Sequence, residues 1–337
     1  MEKSYIVGGI AMRWPIMIGA GFAKYPRDLL SLIGQDVPLG AYVVGSLTPE
    51  PRHQNEGAVL QWPLSWREFL DVGGGLNSRG MPNIGEKEGI ETLETVPLDR
   101  PTLVSHAGFS PNQYAESMCM ADGSVSVAGH EGNASCGNTG KPPICYELDA
   151  TADTLRAIHA EVARGHLTKP IWWKLAPLIT EKRRDQLALA YPRFNFDETL
   201  TVPEGYAKQY VRLLLQYPFI KAFVACNTLP GCRAFGEDGR PVTSPYEGRA
   251  GLSGPIMKEI SHELIRQIVS WLAPWEHVDL VASGGNLTGD DVVDTLQAGA
   301  SAVQCTSGPV WHPQAARFFA DFLASSRFVD WFADDFR

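Results

Sequence analysis

Short apolar runs rich in β-branched residues, most ending in Gly, Ser, Thr or Asn, recur along the chain. They are PIMIGAG (15–21), AYVVGSLT (41–48), TLVSHAG (102–108), SVSVAGHEGN (124–133), IWWKLA (171–176), AFVACNT (222–228), DLVASGG (279–285) and AVQCTS (302–307). The runs are near-continuous rather than alternating, as strands of a parallel sheet covered on both faces require. Between most of them lies a stretch of helical period: YPRDLLSLIGQ, TADTLRAIHAEVARG, PEGYAKQYVRLLLQY, PIMKEISHELIRQIVSWLA and TGDDVVDTLQAGA. Asp149, Thr151 and Thr288 stand where N-caps are wanted, and Asp290 and Asp291 put negative charge in a first helical turn, where the backbone dipole favours it. Eight strands with intervening helices predict an α/β chain folded as a single (β/α)8 TIM barrel, one domain over residues 1–337.

The surplus length falls after the second run (about 49–101), the fourth (131–150) and the sixth (229–255). All three follow C-terminal strand ends, the barrel face where active sites are built, so these Gly/Pro-rich segments are expected to be site walls and lids.

Composition narrows the partners. A net charge of −9, without a run of Lys and Arg, argues against a nucleic-acid surface and for a small-molecule ligand. Cys119, Cys136, Cys145, Cys226, Cys232 and Cys305 form no CxxC pair, so no zinc knuckle or iron–sulfur cluster is signalled. Arg13, Trp14 and Pro15 break the first apolar run well short of a membrane span, and a cytoplasmic protein with no membrane segment is expected.

Three stretches carry candidate chemistry. The runs ending in Gly284-Gly285 and Thr306-Ser307 occupy the places where many barrels cradle a phosphate with backbone N–H groups. Lys174 lies inside IWWKLA, where an unpaired charge is costly, so it is expected at the barrel mouth or against an anion. In EGNASCGNTGKPP, Asn133 and Asn138 flank Cys136 as N-x-x-C-x-N, a spacing that lets amides read the edges of a flat polar ring while sulfur faces it. Turn geometry alone also favours Asn and Gly in a loop. His53, His106 and His130 are read first as hydrogen-bonded loop residues, and Trp172 and Trp173 as packing.

In collinear order over nearly the whole chain, NSRGMPNIG (77–85), EGNASCGNTGKPPICYELDA (131–150), WWKLAP (172–177), CNT (226–228), GLSGP (251–255) and SGGNLTGDDVVDTLQAGASAVQ (283–304) resemble successive motifs of the class 1 dihydroorotate dehydrogenases. The resemblance implies an FMN-containing barrel in which a cysteine on the loop after the fourth strand, here Cys136, is the catalytic base. It places Asn77, Met81, Asn133, Asn138, Asn227 and Thr228 around the pyrimidine ring. Lys174 falls beside the flavin; Gly19, Ala20, Gly45, Ser46, Asn133, Gly251 and Gly254 fall along it; and Gly284, Gly285, Thr306 and Ser307 fall at its phosphate. The implied reaction removes a proton to Cys136 as hydride leaves the neighbouring carbon for flavin N5, taking (S)-dihydroorotate to orotate in pyrimidine biosynthesis. The electron acceptor implied is fumarate, oxygen or a partner subunit, and the implied assembly is a homodimer. The related membrane-associated class has a serine base and an N-terminal extension, and neither is expected here.

The chain departs from the family pattern at three places. Gly45 stands where a lysine normally contacts flavin and lies near the orotate carboxylate, Arg79 where an apolar residue is commoner, and Gly137 where proline usually follows the cysteine. Arg79 is either a replacement for the lost cation or a solvent-facing loop residue, and Gly45→Lys is expected to tighten orotate binding. Three readings follow: dihydroorotate oxidation with an altered anion clamp, the same flavin chemistry on a related cyclic amide or enone lacking the carboxylate, or a non-redox phosphate-binding barrel.

Overall fold

The computed structural model describes residues 5–59, 65–136, 142–273 and 278–334. The apolar runs become Ile16–Ile18, Ala41–Leu47, Thr102–His106, Gly129–Asn133, Ile171–Leu175, Ile220–Ala225, Asp279–Ser283 and Ala302–Cys305, numbered below as barrel strands 1 to 8. They form one closed barrel in which each strand pairs in parallel with the next, and strand 8 closes on strand 1 through Val303–Ile16 and Cys305–Ile18. Period-2 alternation sorts the side chains. Val44, Val104, Trp173 and Phe223 pack outward against helices. Met17, Val43, Leu103, Trp172 and Val224 fill the lower interior, together with Val7, Ile10 and Met12 of the hairpin Tyr5–Val7/Ile10–Met12. Trp172 Nε1 donates to the Gly8 carbonyl at 3.0 Å, which ties that hairpin to the barrel.

The helical stretches appear as Leu148–Ala163, Tyr206–Leu214, Ile256–Trp271 and Gly289–Gln297, while Pro26–Ser31 forms a 3-10 turn only. Thr288 is an N-cap as expected, exchanging hydrogen bonds with Asp291. Asp149 and Thr151 are not caps. A 3-10 turn, Ile144–Tyr146, runs straight into the helix, so Glu147 takes the cap position and Thr151 Oγ1 donates back to the Ile144 carbonyl. The helix Pro111–Asp122 runs almost into strand 4, which leaves Ser124–Ala128 as a connection and only Gly129–Asn133 in the barrel.

Two of the long segments meet over the mouth. Gly75–Asn77, from the segment after strand 2, pairs antiparallel with Ala250–Ser253, which also pairs with Leu229–Cys232. The Asn77–Gly251 register fixes the start of the NSRG stretch above the barrel.

Outside strands 3 and 4 runs a buried polar chain. Asp122 accepts from Thr168 and Lys169, and its Oδ1 lies 3.0 Å from His130 Nε2. His130 Nδ1 faces His106 Nε2 at 3.0 Å, and His106 Nδ1 faces Glu86 Oε2 at 3.3 Å. The chain stands behind the barrel wall, so His106 and His130 are internal hydrogen-bonded residues. Burial outweighs the Asp122 hydrogen bond and lowers His130 from 6.5 to about 4, while that bond and those from Thr168 and Lys169 hold Asp122 low. A histidine kept neutral when folded takes up its proton first in the unfolded chain. Its contribution is therefore whole above about 6.5 and lost as pH falls toward about 4, a change on the order of 3 kcal/mol. Denaturant titrations across that window are expected to show a smaller acid loss for His130→Gln than for the wild type, and equal losses would contradict the assignment.

Candidate active site

At the C-terminal ends of the strands lies a cleft of about 1120 Å³, its open mouth included. One end is made by Gly284 and Gly285 after strand 7 and by Thr306 and Ser307 after strand 8. Gly284 and Gly285 both take positive φ, which turns the backbone sharply out of strand 7, and a Cβ on Gly285 would stand 2.4 Å from the Lys258 backbone nitrogen.

The floor is a buried triangle contributed by strands 4, 5 and 8. Lys174 Nζ lies 3.5 Å from Glu131 Oε1 and donates to Gln304 Oε1 at 3.2 Å, and Gln304 Nε2 donates to Glu131 Oε2 at 2.7 Å. The lysine thus reaches the cleft, as its place in an apolar run requires, with its charge matched from beneath.

An amide network forms one wall. Asn227 Nδ2 donates to Ser135 Oγ at 2.9 Å and to Asn133 Oδ1 at 3.3 Å, and Asn133 Nδ2 donates to Ser46 Oγ at 2.7 Å. Asn77 Nδ2 reaches the Gly251 carbonyl at 3.4 Å on the facing lid strand. Three cysteines line the cleft: Cys136, Cys226 and Cys305. Burial pushes the Cys226 thiol up to about 12 and Cys305 higher still, whereas Cys136 is half-buried. Cys136 is therefore the cleft thiol suited to proton transfer.

Lys24 lines the same cleft, from the loop after strand 1. That loop is fastened to Gly45: Gly45 N–H donates to the Ala23 carbonyl at 2.8 Å, and its carbonyl accepts from Gly21 N–H at 2.9 Å. Burial and the charge of Arg79 lower Lys24 to about 8 against the opposing pull of Cys136 and Asp28. Arg79, half-buried, also lines the cleft, with Nε donating to Gln54 Oε1 at 3.1 Å.

The dihydroorotate dehydrogenase family model matches residues 4–213 and 208–317. The chain belongs to the dihydroorotate dehydrogenase family. Among the relatives of this dihydroorotate dehydrogenase-family chain is the dihydroorotate dehydrogenase B (NAD(+)) catalytic subunit of Citrifermentans bemidjiense, 27% identical over 95% of this chain and 91% of that protein. A candidate dihydroorotate dehydrogenase A (fumarate) of Pediococcus pentosaceus is 28% identical over 92% and 89%. The Eimeria tenella dihydroorotate dehydrogenase solved with ferulenol shares the fold, with a TM-score of 0.71 and 19% identity over 96% of this chain and 83% of that one.

Within this family member, the cleft gathers Ala20, Ser46, Asn77, Met81, Asn133 and Cys136 from the first half of the chain. Lys174, Asn227, Thr228, Gly284, Gly285, Thr306 and Ser307 join them from the second. Asn138 and Gly137 lie outside the described residues. Gly19, Gly45, Gly251 and Gly254 stand behind the lining. Gly19 lets Thr306 pack against strand 1, and Gly254 packs on Phe69 and Gly74. Sequence reasoning missed Lys24, Glu131 and Gln304. Lys24 sits in GAGFAKYP, directly after the first strand, and that position was its available signal; Glu131 and Gln304 gave only polar residues inside strand runs. Among the described residues, no helix is long and apolar enough to cross a membrane, and none of their His, Cys, Asp and Glu side chains cluster to hold a metal.

Proposed function

We propose that the protein is an FMN-dependent oxidoreductase that oxidises (S)-dihydroorotate to orotate, with Cys136 as base. The observation that carries this reading is the convergence on one cleft of the half-buried Cys136, the Asn133–Asn227 amide network and the Lys174–Glu131–Gln304 floor.

The donor set fits the cofactor. Gly284, Gly285, Thr306 and Ser307 would hold the phosphate, and Lys174 would lie beside the ring. Bound there, FMN supplies the acceptor for a hydride, that is, for one proton and two electrons.

The chain's own residues do the rest. Asn77, Asn133, Asn227 and Thr228 orient a flat ring bearing carbonyl and N–H edges, which fixes the reacting carbon against Cys136. The Cys136 thiolate takes the acidic proton beside the ring carbonyl and becomes a thiol as the C–H electron pair left behind forms the new C=C bond and hydride departs from the adjacent carbon. A thiol is a modest base at neutral pH, and the Lys24 ammonium, within electrostatic reach of the sulfur, favours the thiolate. Lys174 favours negative charge developing in the cleft, and Glu131 and Gln304 hold its ammonium in place.

Lys24 bears on the choice of substrate. Gly45 removes a cation from strand 2, but the loop fastened to Gly45 delivers another to the same cleft, so the ligand site retains a charge for a carboxylate. This favours dihydroorotate over a neutral cyclic amide. Anaerobic addition of L-dihydroorotate to the purified yellow protein tests the reading, with loss of flavin absorbance as the expected result. The family resemblance supports fumarate, oxygen or a partner subunit as the acceptor that reoxidises the protein, and a homodimer as the working assembly.

A further inference from the structure

We propose that Arg79 and Lys24 form a two-sided clamp for the substrate carboxylate, with Arg79 the residue that separates carboxylate-bearing rings from neutral ones. The proposal deepens the function given above and rests on it.

Charge balance is the first support. Among the described residues, the cleft lining holds Lys24, Arg79 and Lys174 but no Asp or Glu, in a chain whose net charge is −9. Cations gathered against the overall charge mark a place where the ligand brings the anion. Lys174 is already matched by Glu131 at 3.5 Å, so the surplus rests with Lys24 and Arg79.

The geometry of the pair is the second. Arg79 follows Asn77 by two residues at the end of the lid strand Gly75–Asn77, which the Ala250–Ser253 strand holds above the mouth. Arg79 is among the residues that line the cleft, and its Nε donates to Gln54 Oε1, so the two terminal nitrogens are not used in that bond. Lys24 enters from the loop fastened to Gly45. Among the described residues neither cation has a carboxylate ion pair. Asp28 exerts its charge on both, but its own Oδ2 accepts from the Tyr25 N–H at 3.0 Å, capping the 3-10 turn.

The mutual repulsion is the third. The Arg79 charge is second only to burial in lowering Lys24, so the two cations are close enough to oppose one another. An anion between them reverses that cost. A planar carboxylate offers one oxygen to each side, with arginine supplying the directional fork and lysine a point charge.

Binding to the flavin-loaded protein, read from the change in flavin absorbance, tests the clamp with two probes: orotate, and uracil as the same ring without its carboxylate. Arg79→Met, apolar and of similar length, is expected to weaken orotate roughly 10- to 100-fold. Uracil is expected to stay within about 2-fold of the wild type. Arg79→Lys keeps the charge and is expected to recover part of the orotate loss. Unchanged orotate affinity in Arg79→Met, or equal weakening of both ligands, overturns the clamp. So does a yellow wild-type protein that binds uracil as tightly as orotate. A protein purified without flavin overturns instead the function on which the clamp rests.

Discussion

Cys136→Ala is expected to remain yellow while its flavin is reduced by dihydroorotate about two to four orders of magnitude more slowly than in the wild type, the usual range for removing a positioned base. Among the described residues no other cleft thiol replaces it. Cys226 and Cys305 are the other cleft thiols, and burial holds both protonated at any working pH. In the proposed function the ring is held by other groups, chiefly the hydrogen-bonded Asn133 and Asn227, so orotate affinity should change far less than the rate. Single-turnover reduction without oxygen separates the two effects, because it isolates the substrate half-reaction from the acceptor. Wild-type reduction kinetics in the alanine variant would remove Cys136 from the base role.

Gly45→Lys is expected to lose stability and to bind orotate more weakly. The family pattern suggests the opposite, since it places a lysine there, and the structure shows why this chain differs. Gly45 takes φ +110, and a Cβ built on it would lie 2.7 Å from both the Leu47 nitrogen and the Ser105 carbonyl oxygen. Positive φ and overpacking each cost on the order of 1–3 kcal/mol, and here both neighbours are backbone atoms that cannot swing aside. The strain also falls on the hydrogen bonds to Gly21 and Ala23 that fasten the Lys24 loop. Denaturant midpoints and orotate titrations of the variant check both effects, and a stable protein with tighter orotate binding would contradict this account of Gly45.

These two residues mark how much could be read from the sequence. The barrel was legible because buried parallel strands must be short and apolar, and each of the eight runs supplies one strand. One end of the cleft and its floor were legible through the Gly284-Gly285 pair and a lysine in an apolar strand, whose charge is expensive without a ligand or partner. What stayed hidden depends on contacts between distant segments. Gly45 reads as a lost charge until its backbone is seen holding the loop of Lys24, and Arg79 reads equally as a replacement cation or a loop residue until the lid sheet sets it on the cleft lining. Glu131 was hidden for a different reason. A carboxylate inside a strand run does not announce its partners, and only the barrel's closure brings Lys174 and Gln304 to it. The same holds for His106 and His130, whose partners Glu86 and Asp122 lie on neighbouring helices.

The most direct test of the central claim is an anaerobic titration of the yellow protein with L-dihydroorotate while the flavin absorbance is followed. Stoichiometric bleaching, with orotate formed in equal amount, is the predicted result. A flavin that stays oxidised at saturating dihydroorotate would contradict the account and turn the same cleft, with its three cations, toward a different anionic ring.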